Sequence, residues 1–147
     1  MGTRAVYTFK DGDKRFHVYK HWDGYPGGAA FFFMNALPYA WGGTRFEADE
    51  FAAAFIAGNK KEGGGDIYLT KGPNYHGDLE YVYELYQNNL GGIMIKAYHA
   101  SWDDAKSRTV KTELFKGSLC AFVMKYGDAE DKQRADEHWK LSSKQAA

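Results

Sequence analysis

The sequence predicts a single α+β domain in which a mainly antiparallel sheet of about five strands carries helices packed on one face. The chain has 147 residues, which is enough to bury one sizeable core. Segments rich in β-branched and aromatic residues come first and recur after two helical segments. Two further helical segments follow, and this grouping is typical of the α+β class.

The first predicted element is a β-hairpin. Residues 4–10 and 15–21 have strand composition, and the DGDK between them has the composition of a tight turn. Because side chains alternate along a strand, His17, Tyr19 and His21 share one face of the second strand. The pattern leaves open which face of that strand is buried.

The segment HWDGYPGGAAFFF then connects the second strand to the first predicted helix. Pro26 suits the first helical position, the helix body is predicted over residues 28–37, and Pro38 ends it. Asp23 lies three residues before this proline, where an aspartate side chain commonly closes a turn or satisfies free backbone N–H groups. The sequence therefore predicts a structural role for Asp23.

A second helix is predicted over residues 46–57. Thr44 and Glu47 have the spacing of a capping box, acidic residues fill the first turn, and Gly58 follows as a stop signal.

Three strands are predicted next, over residues 66–70, 78–86 and 92–99. In the middle strand, the alternation predicts that Leu79 lies on the face that packs against the core and that Val82 lies on the opposite face, which is largely exposed to solvent. The QNNLGG turn makes the second and third of these strands a hairpin. Whether KSRTVKTELF adds a sixth strand stays open.

The C-terminal part is predicted to be helical. Ser118 caps a helix over residues 119–126, and Gly127 ends it. We expect residues 1–127 to form the α+β domain and residues 128–147 a mostly exposed helical tail that frays. Its possible anchors are Ala135, Trp139 and Leu141.

Composition narrows the class of protein. Lys and Arg number 19, as do Asp and Glu, so the net charge of zero argues against non-specific nucleic-acid binding. A single cysteine, Cys120, and a start without an apolar run indicate a reducing cytoplasm. No apolar stretch has the length of a membrane span. Aromatic residues make up 17% of the chain and could fill a core, stack on ligands or mediate self-association.

Two HxD pairs, His21 with Asp23 and His76 with Asp78, are the candidate chemical motif. Residues two apart on an extended backbone project to the same side, so each imidazole and carboxylate could converge on one metal or one proton. Turn and cap roles for the two aspartates are the favoured interpretation, so we expect no metal, no cofactor and no catalytic set. The helix N-terminus after DGYPGG is the most credible anion-binding feature.

Four segments resemble a group of small proteins encoded by bacteriophages, prophages and bacterial genomes, which begin with M-G-T-R and carry a D-G-Y-P-x-G turn. The segments are MGTRAVYTF, YKHWDGYPGGAA, FEADEFAAAFIA and GGGDIYLT with HGDLEYVYEL. The resemblance covers most of residues 1–90. It marks these hallmark positions: Gly2, Thr3, Arg4, Asp23, Gly24, Tyr25, Pro26 and Gly28.

The resemblance implies a phage setting, in which small accessory proteins often disarm host defences. We therefore expect a binding protein, in the cytoplasm of a bacterial host, whose partner is a host defence protein or a nucleotide-like small molecule. The predicted binding residues are Arg4, His21, Asp23, Tyr25, His76 and Asp78. The alternatives are a small hydrolase or phosphodiesterase that uses both HxD pairs, and a structural phage protein.

Overall fold

The computed structural model describes residues 2–141 of the chain. Two strands, two helices, four strands and two helices follow one another. Their bounds are β1 Ala5–Asp11, β2 Lys14–Lys20, α1 Pro26–Ala36, α2 Ala48–Asn59, β3 Ile67–Thr70, β4 Tyr81–Gln87, β5 Ile93–Asp103, β6 Arg108–Ser118, α3 Leu119–Tyr126 and α4 Ala129–Trp139.

The strands form one sheet in the order β3-β2-β1-β4-β5-β6. All neighbours are antiparallel except β1 and β4, which pair in parallel. The long connection that a parallel pair needs is supplied by β2, α1, α2 and β3, which lie between them in the chain. The α+β prediction is confirmed. The sheet has six strands rather than about five, because the KSRTVKTELF segment forms most of β6.

The helices pack on one face of this sheet around a core of aromatic rings. The ring centroid of Tyr7 on β1 lies 4.5 Å from that of Phe55 on α2 and 5.0 Å from that of Tyr83 on β4. Phe33 on α1 meets Tyr7 edge-on at 5.5 Å. The Tyr83 hydroxyl donates to the Gly24 carbonyl at 2.6 Å and so ties the turn before α1 to the sheet.

The helix predicted over residues 46–57 is α2, and its first turn is acidic as predicted, but the predicted capping box and the predicted stop at Gly58 are wrong. Its N-cap, Glu47, makes no side-chain cap hydrogen bond, so the capping box with Thr44 does not form. Instead, the Ala48 N–H donates to the Asp11 carboxylate at 2.5 Å. Gly58 does not stop the helix, because a Cβ there would lie 2.3 Å from the Asn35 carbonyl oxygen. This glycine lets α1 and α2 cross closely.

A second, smaller cluster lies on the opposite face of the sheet. Leu79 and Val82 belong to it together with Val6 and Tyr19, so Leu79 does not join the predicted core face and Val82 is fully buried rather than wet. The β4 strand begins only at Tyr81, which frees Leu79 from the alternation of the strand.

The predicted Ser118 cap is confirmed, since its hydroxyl accepts from the Ala121 N–H at 3.0 Å. α4 packs on α1 and α3 through Ala135, which is fully buried, and Trp139, which is partly buried. The end of the predicted tail, residues 142–147, lies outside the described residues. Within residues 2–141, no helix combines the length and apolar character needed to cross a membrane.

Candidate functional site

The turn between β2 and α1 is shaped by its backbone. Asp23 has a left-handed φ of 60°, and the Gly24 N–H donates to the Thr3 carbonyl at 2.8 Å. A Cβ on Gly28 would lie 1.9 Å from the Asp23 carbonyl oxygen, so only glycine fits there. The N-cap of α1 is Tyr25, which makes no side-chain cap hydrogen bond. The cap role that the sequence suggests for Asp23 is therefore not seen at this helix end.

The first HxD pair does not converge. His21 accepts from or donates to the Tyr19 hydroxyl through Nδ1 at 2.9 Å, and its ring meets the Trp22 ring edge-on at 4.7 Å. Asp23 lies beyond the end of β2, where its left-handed backbone breaks the strand alternation on which the prediction depended.

The second HxD pair contacts the first through Tyr19. The His76 ring stacks on the Tyr19 ring at 4.3 Å, and its Nε2 is 2.8 Å from the Thr70 hydroxyl. Burial lowers the pKa of His76, and the nearby Asp78 carboxylate offsets this only in part. Both histidines are thus packed and hydrogen-bonded groups.

Arg4 completes this group by pairing with Asp78. The Arg4 Nε lies 3.0 Å from Asp78 Oδ2, although its N–H is not aligned for a hydrogen bond. The structure therefore brings four predicted site residues around Tyr19: Arg4, His21, His76 and Asp78. Among the described residues, no three His, Cys, Asp or Glu side chains are grouped so that they could hold a metal ion.

Asp23 and Tyr25 lie apart from that group, on the helical side of the sheet. Asp23 lines a cleft of about 510 Å³ between the end of β2, the outer face of α1, the end of α2 and the loop before β3. We call it the Lys20–Asp66 cleft after the pair at its floor. Tyr25 lines a neighbouring cleft of about 320 Å³, whose wall shares Asp23, Phe31 and Phe32 with the first.

The floor of the Lys20–Asp66 cleft is a buried ion pair. The Lys20 Nζ lies 2.5 Å from Asp66 Oδ1, with side-chain exposures of 4% and 0%. The same ammonium is 3.4 Å from the Trp22 carbonyl oxygen and 4.5 Å from the centroid of the Phe32 ring. Asp66 Oδ2, in contrast, has no hydrogen-bond donor among residues 2–141. A buried carboxylate oxygen without a donor costs free energy, on the order of 1–3 kcal/mol for a polar atom.

The rim and wall of this cleft differ in character. Trp22 and Phe31 present rings that are 42% and 44% exposed, from different elements. The wall is polar and hydrogen-bonded: Asn35 Nδ2 donates to Asn59 Oδ1 at 3.0 Å, and the buried Asn59 donates to the Phe32 carbonyl at 2.9 Å. Lys61 and Glu62 add a cation and a carboxylate at the rim.

Comparisons with protein-family models, curated proteins and solved structures found no match.

Sequence reasoning missed the two residues at the cleft floor. Lys20 lies within the predicted strand 15–21 and Asp66 begins the predicted strand 66–70, and no local pattern indicated that these two residues, 46 positions apart, would meet. The available signal was the position of Lys20 in phase with Phe16 and Val18, which face the helices.

Proposed function

We propose that this protein is a binding protein for a nucleotide-like small molecule, whose base is held in the Lys20–Asp66 cleft. The observation that carries the proposal is Asp66, whose buried Oδ2 lacks a donor and which lines a cleft together with two exposed aromatic rings. Pockets that combine apolar walls with a few fixed polar groups are the usual form of a small-molecule site.

Two properties of the cleft select the ligand class. The Trp22 and Phe31 rings suit a flat aromatic ligand, because stacking a base on an aromatic side chain stabilises binding by about 1–3 kcal/mol. Asp66 Oδ2 accepts hydrogen bonds only, so the ligand edge that reaches it must carry an N–H, such as the exocyclic amine of a base. Lys61 supplies one cation for a phosphate, next to the Glu62 carboxylate that lines the same cleft.

Titration calorimetry with paired nucleotides tests this chemistry. AMP is compared with purine riboside monophosphate, and GMP with IMP, because each pair differs by the exocyclic amine. We expect a member with the amine to bind at least about tenfold more tightly than its partner, since an unpaired buried acceptor costs more than 1 kcal/mol. Equal affinity within both pairs, or no binding by any of the four, would contradict the proposal.

Rim variants test the location of the site without disturbing the buried pair. Trp22→Ala and Phe31→Ala should each weaken binding of the preferred nucleotide about tenfold through lost stacking. Tyr39→Ala is the matched control, because Tyr39 is 61% exposed and does not line the cleft. If both rim variants bind like the control, the ligand lies elsewhere.

The setting is part of the same proposal: a phage-type protein that captures a nucleotide signal of a host defence system, as the sequence resemblance implies. Capture predicts that the nucleotide released by heating the complex is chemically intact, as chromatography of the released material can measure. Release of a hydrolysed nucleotide would favour the alternative of a phosphodiesterase.

A further inference from the structure

The face of the sheet opposite the helices carries a second candidate surface. We call it the open face. It comprises the side chains of the six strands that point away from the helices, as the strand register assigns them. The four helices contribute nothing to the small cluster on this side. The open face and the Lys20–Asp66 cleft therefore lie on opposite sides of the sheet.

The open face carries more basic than acidic side chains. The strands place five basic side chains on the open face: Lys10, Arg15, Lys96, Lys111 and Lys116. They place two acidic ones there, Glu84 and Glu113. On the helical side, α2 and α4 carry more acids than bases, with Asp49, Glu50, Glu130, Asp131, Asp136 and Glu137 against Lys132 and Arg134. A chain of zero net charge thus presents a basic face.

The basic side chains of this face are not neutralised pair by pair. Glu84 receives both Lys10 Nζ, at 3.0 Å, and Lys111 Nζ, at 3.1 Å, so one carboxylate faces two ammonium groups. Lys96 lies next to Glu84 in the register, and its Nζ is 5.5 Å from the ring centroid of Tyr86. Positive charge therefore remains for an anionic partner.

Aromatic rings lie among these cations. Tyr86 and Tyr98 point to the open face from β4 and β5, and both are partly exposed. Lys111 Nζ lies 4.7 Å from the Tyr98 ring centroid, which places a cation beside a stacking platform. Sheet surfaces that bind single-stranded nucleic acid combine these two features. Cations lie along the sugar-phosphate backbone, and aromatic rings stack on the unpaired bases.

We propose that the open face binds single-stranded nucleic acid, with phosphates at Lys10, Arg15, Lys96, Lys111 and Lys116 and bases stacked on Tyr86 and Tyr98. The composition argument against nucleic-acid binding used the net charge of the whole chain, whereas a polyanion responds to the local charge of the face that it contacts.

Fluorescence anisotropy with labelled oligodeoxythymidine and oligouridine of about 20 nucleotides tests the proposal and separates DNA from RNA. We expect binding at low salt that weakens steeply as salt rises, because phosphate contacts release counterions. Lys96→Glu/Lys111→Glu should weaken binding at least tenfold. The matched control, Lys14→Glu/Lys132→Glu, reverses two exposed lysines that do not lie on the open face and should leave affinity within about twofold.

The contribution of base stacking is tested by a separate variant and by a comparison of single-stranded with duplex DNA. Tyr86→Leu/Tyr98→Leu keeps apolar bulk while it removes the rings, and should weaken single-strand binding about tenfold. Circular dichroism melting checks that each variant is folded. Duplex DNA that binds as tightly as the single strand, or a control as weak as the Lys96/Lys111 variant, would overturn the proposal. The proposal would also be overturned if light scattering showed that the protein is a dimer and that the Lys96/Lys111 variant is a monomer, since the open face would then be the interface between two copies of the chain.

Discussion

At the scale of single residues, the contact between Gly28 and the Asp23 carbonyl is the tightest constraint near the candidate site. Gly28→Ala should lower the free energy of unfolding by about 2 kcal/mol or more, because the added methyl would force the turn and α1 apart. Urea denaturation measures the change. Gly42→Ala is the control, since a Cβ at that position meets nothing within 4 Å. Equal stability of the two variants would refute the close contact.

At the scale of elements, α2 depends on a residue of the first hairpin for its N-terminal cap. Asp11→Ala should destabilise the protein by about 1 kcal/mol, because the Ala48 N–H loses its acceptor and the positive end of the helix loses an adjacent carboxylate. Asp13→Ala, in the exposed turn of the same hairpin, should have little effect. Measuring the free energy of unfolding of both variants tests this prediction, and an equal loss in the two would contradict the role of Asp11 as a cap.

At the scale of the whole molecule, two histidines couple folding to pH: His17 in β2 and His76 in the loop before β4. Burial lowers the pKa of His76, and burial with the nearby Arg15 and Lys111 cations lowers the pKa of His17 against the opposing effect of Glu84. The unfolded chain therefore binds protons more readily than the folded chain. The free energy of unfolding should keep its full value above pH 6.5, which is about the pKa of histidine in the unfolded chain, and should fall as the pH drops below it.

Chemical denaturation at several pH values measures how the free energy of unfolding depends on pH. His17→Gln and His76→Gln should each flatten the dependence of stability on pH. A second loss is expected at lower pH from Glu84. Burial raises its pKa, but the hydrogen bonds from Lys10 and Lys111 outweigh burial and the net shift is downward. Its contribution is present above about pH 4.5 and is lost below.

The local order of the fold could be predicted well from the sequence. The first hairpin, the helix after Pro26, the Ser118 cap and the hairpin of β4 and β5 all follow from signals within a few residues of each other. Errors arose where a distant residue supplied the decisive contact. Asp11 rather than Thr44 caps α2, and Gly58 serves a helix crossing rather than a helix end.

The candidate sites were less accessible to sequence reasoning. Of the predicted binding residues, Arg4, His21, His76 and Asp78 do gather around Tyr19, while Asp23 lines the Lys20–Asp66 cleft and both Asp23 and Tyr25 line the neighbouring one. The pattern HxD assumed an extended backbone through Asp23, and a single left-handed residue invalidates that assumption.

The sequence by itself determined the fold class and most elements, because periodicity, turn composition and caps are local properties of the chain. Only the tertiary structure decided which charges face each other. It brought Lys20 to Asp66 across 46 residues, and through the strand register it placed five basic side chains and only two acidic ones on one face of a chain with no net charge. Burial and electrostatic interaction depend on distance in space, which a linear pattern does not contain.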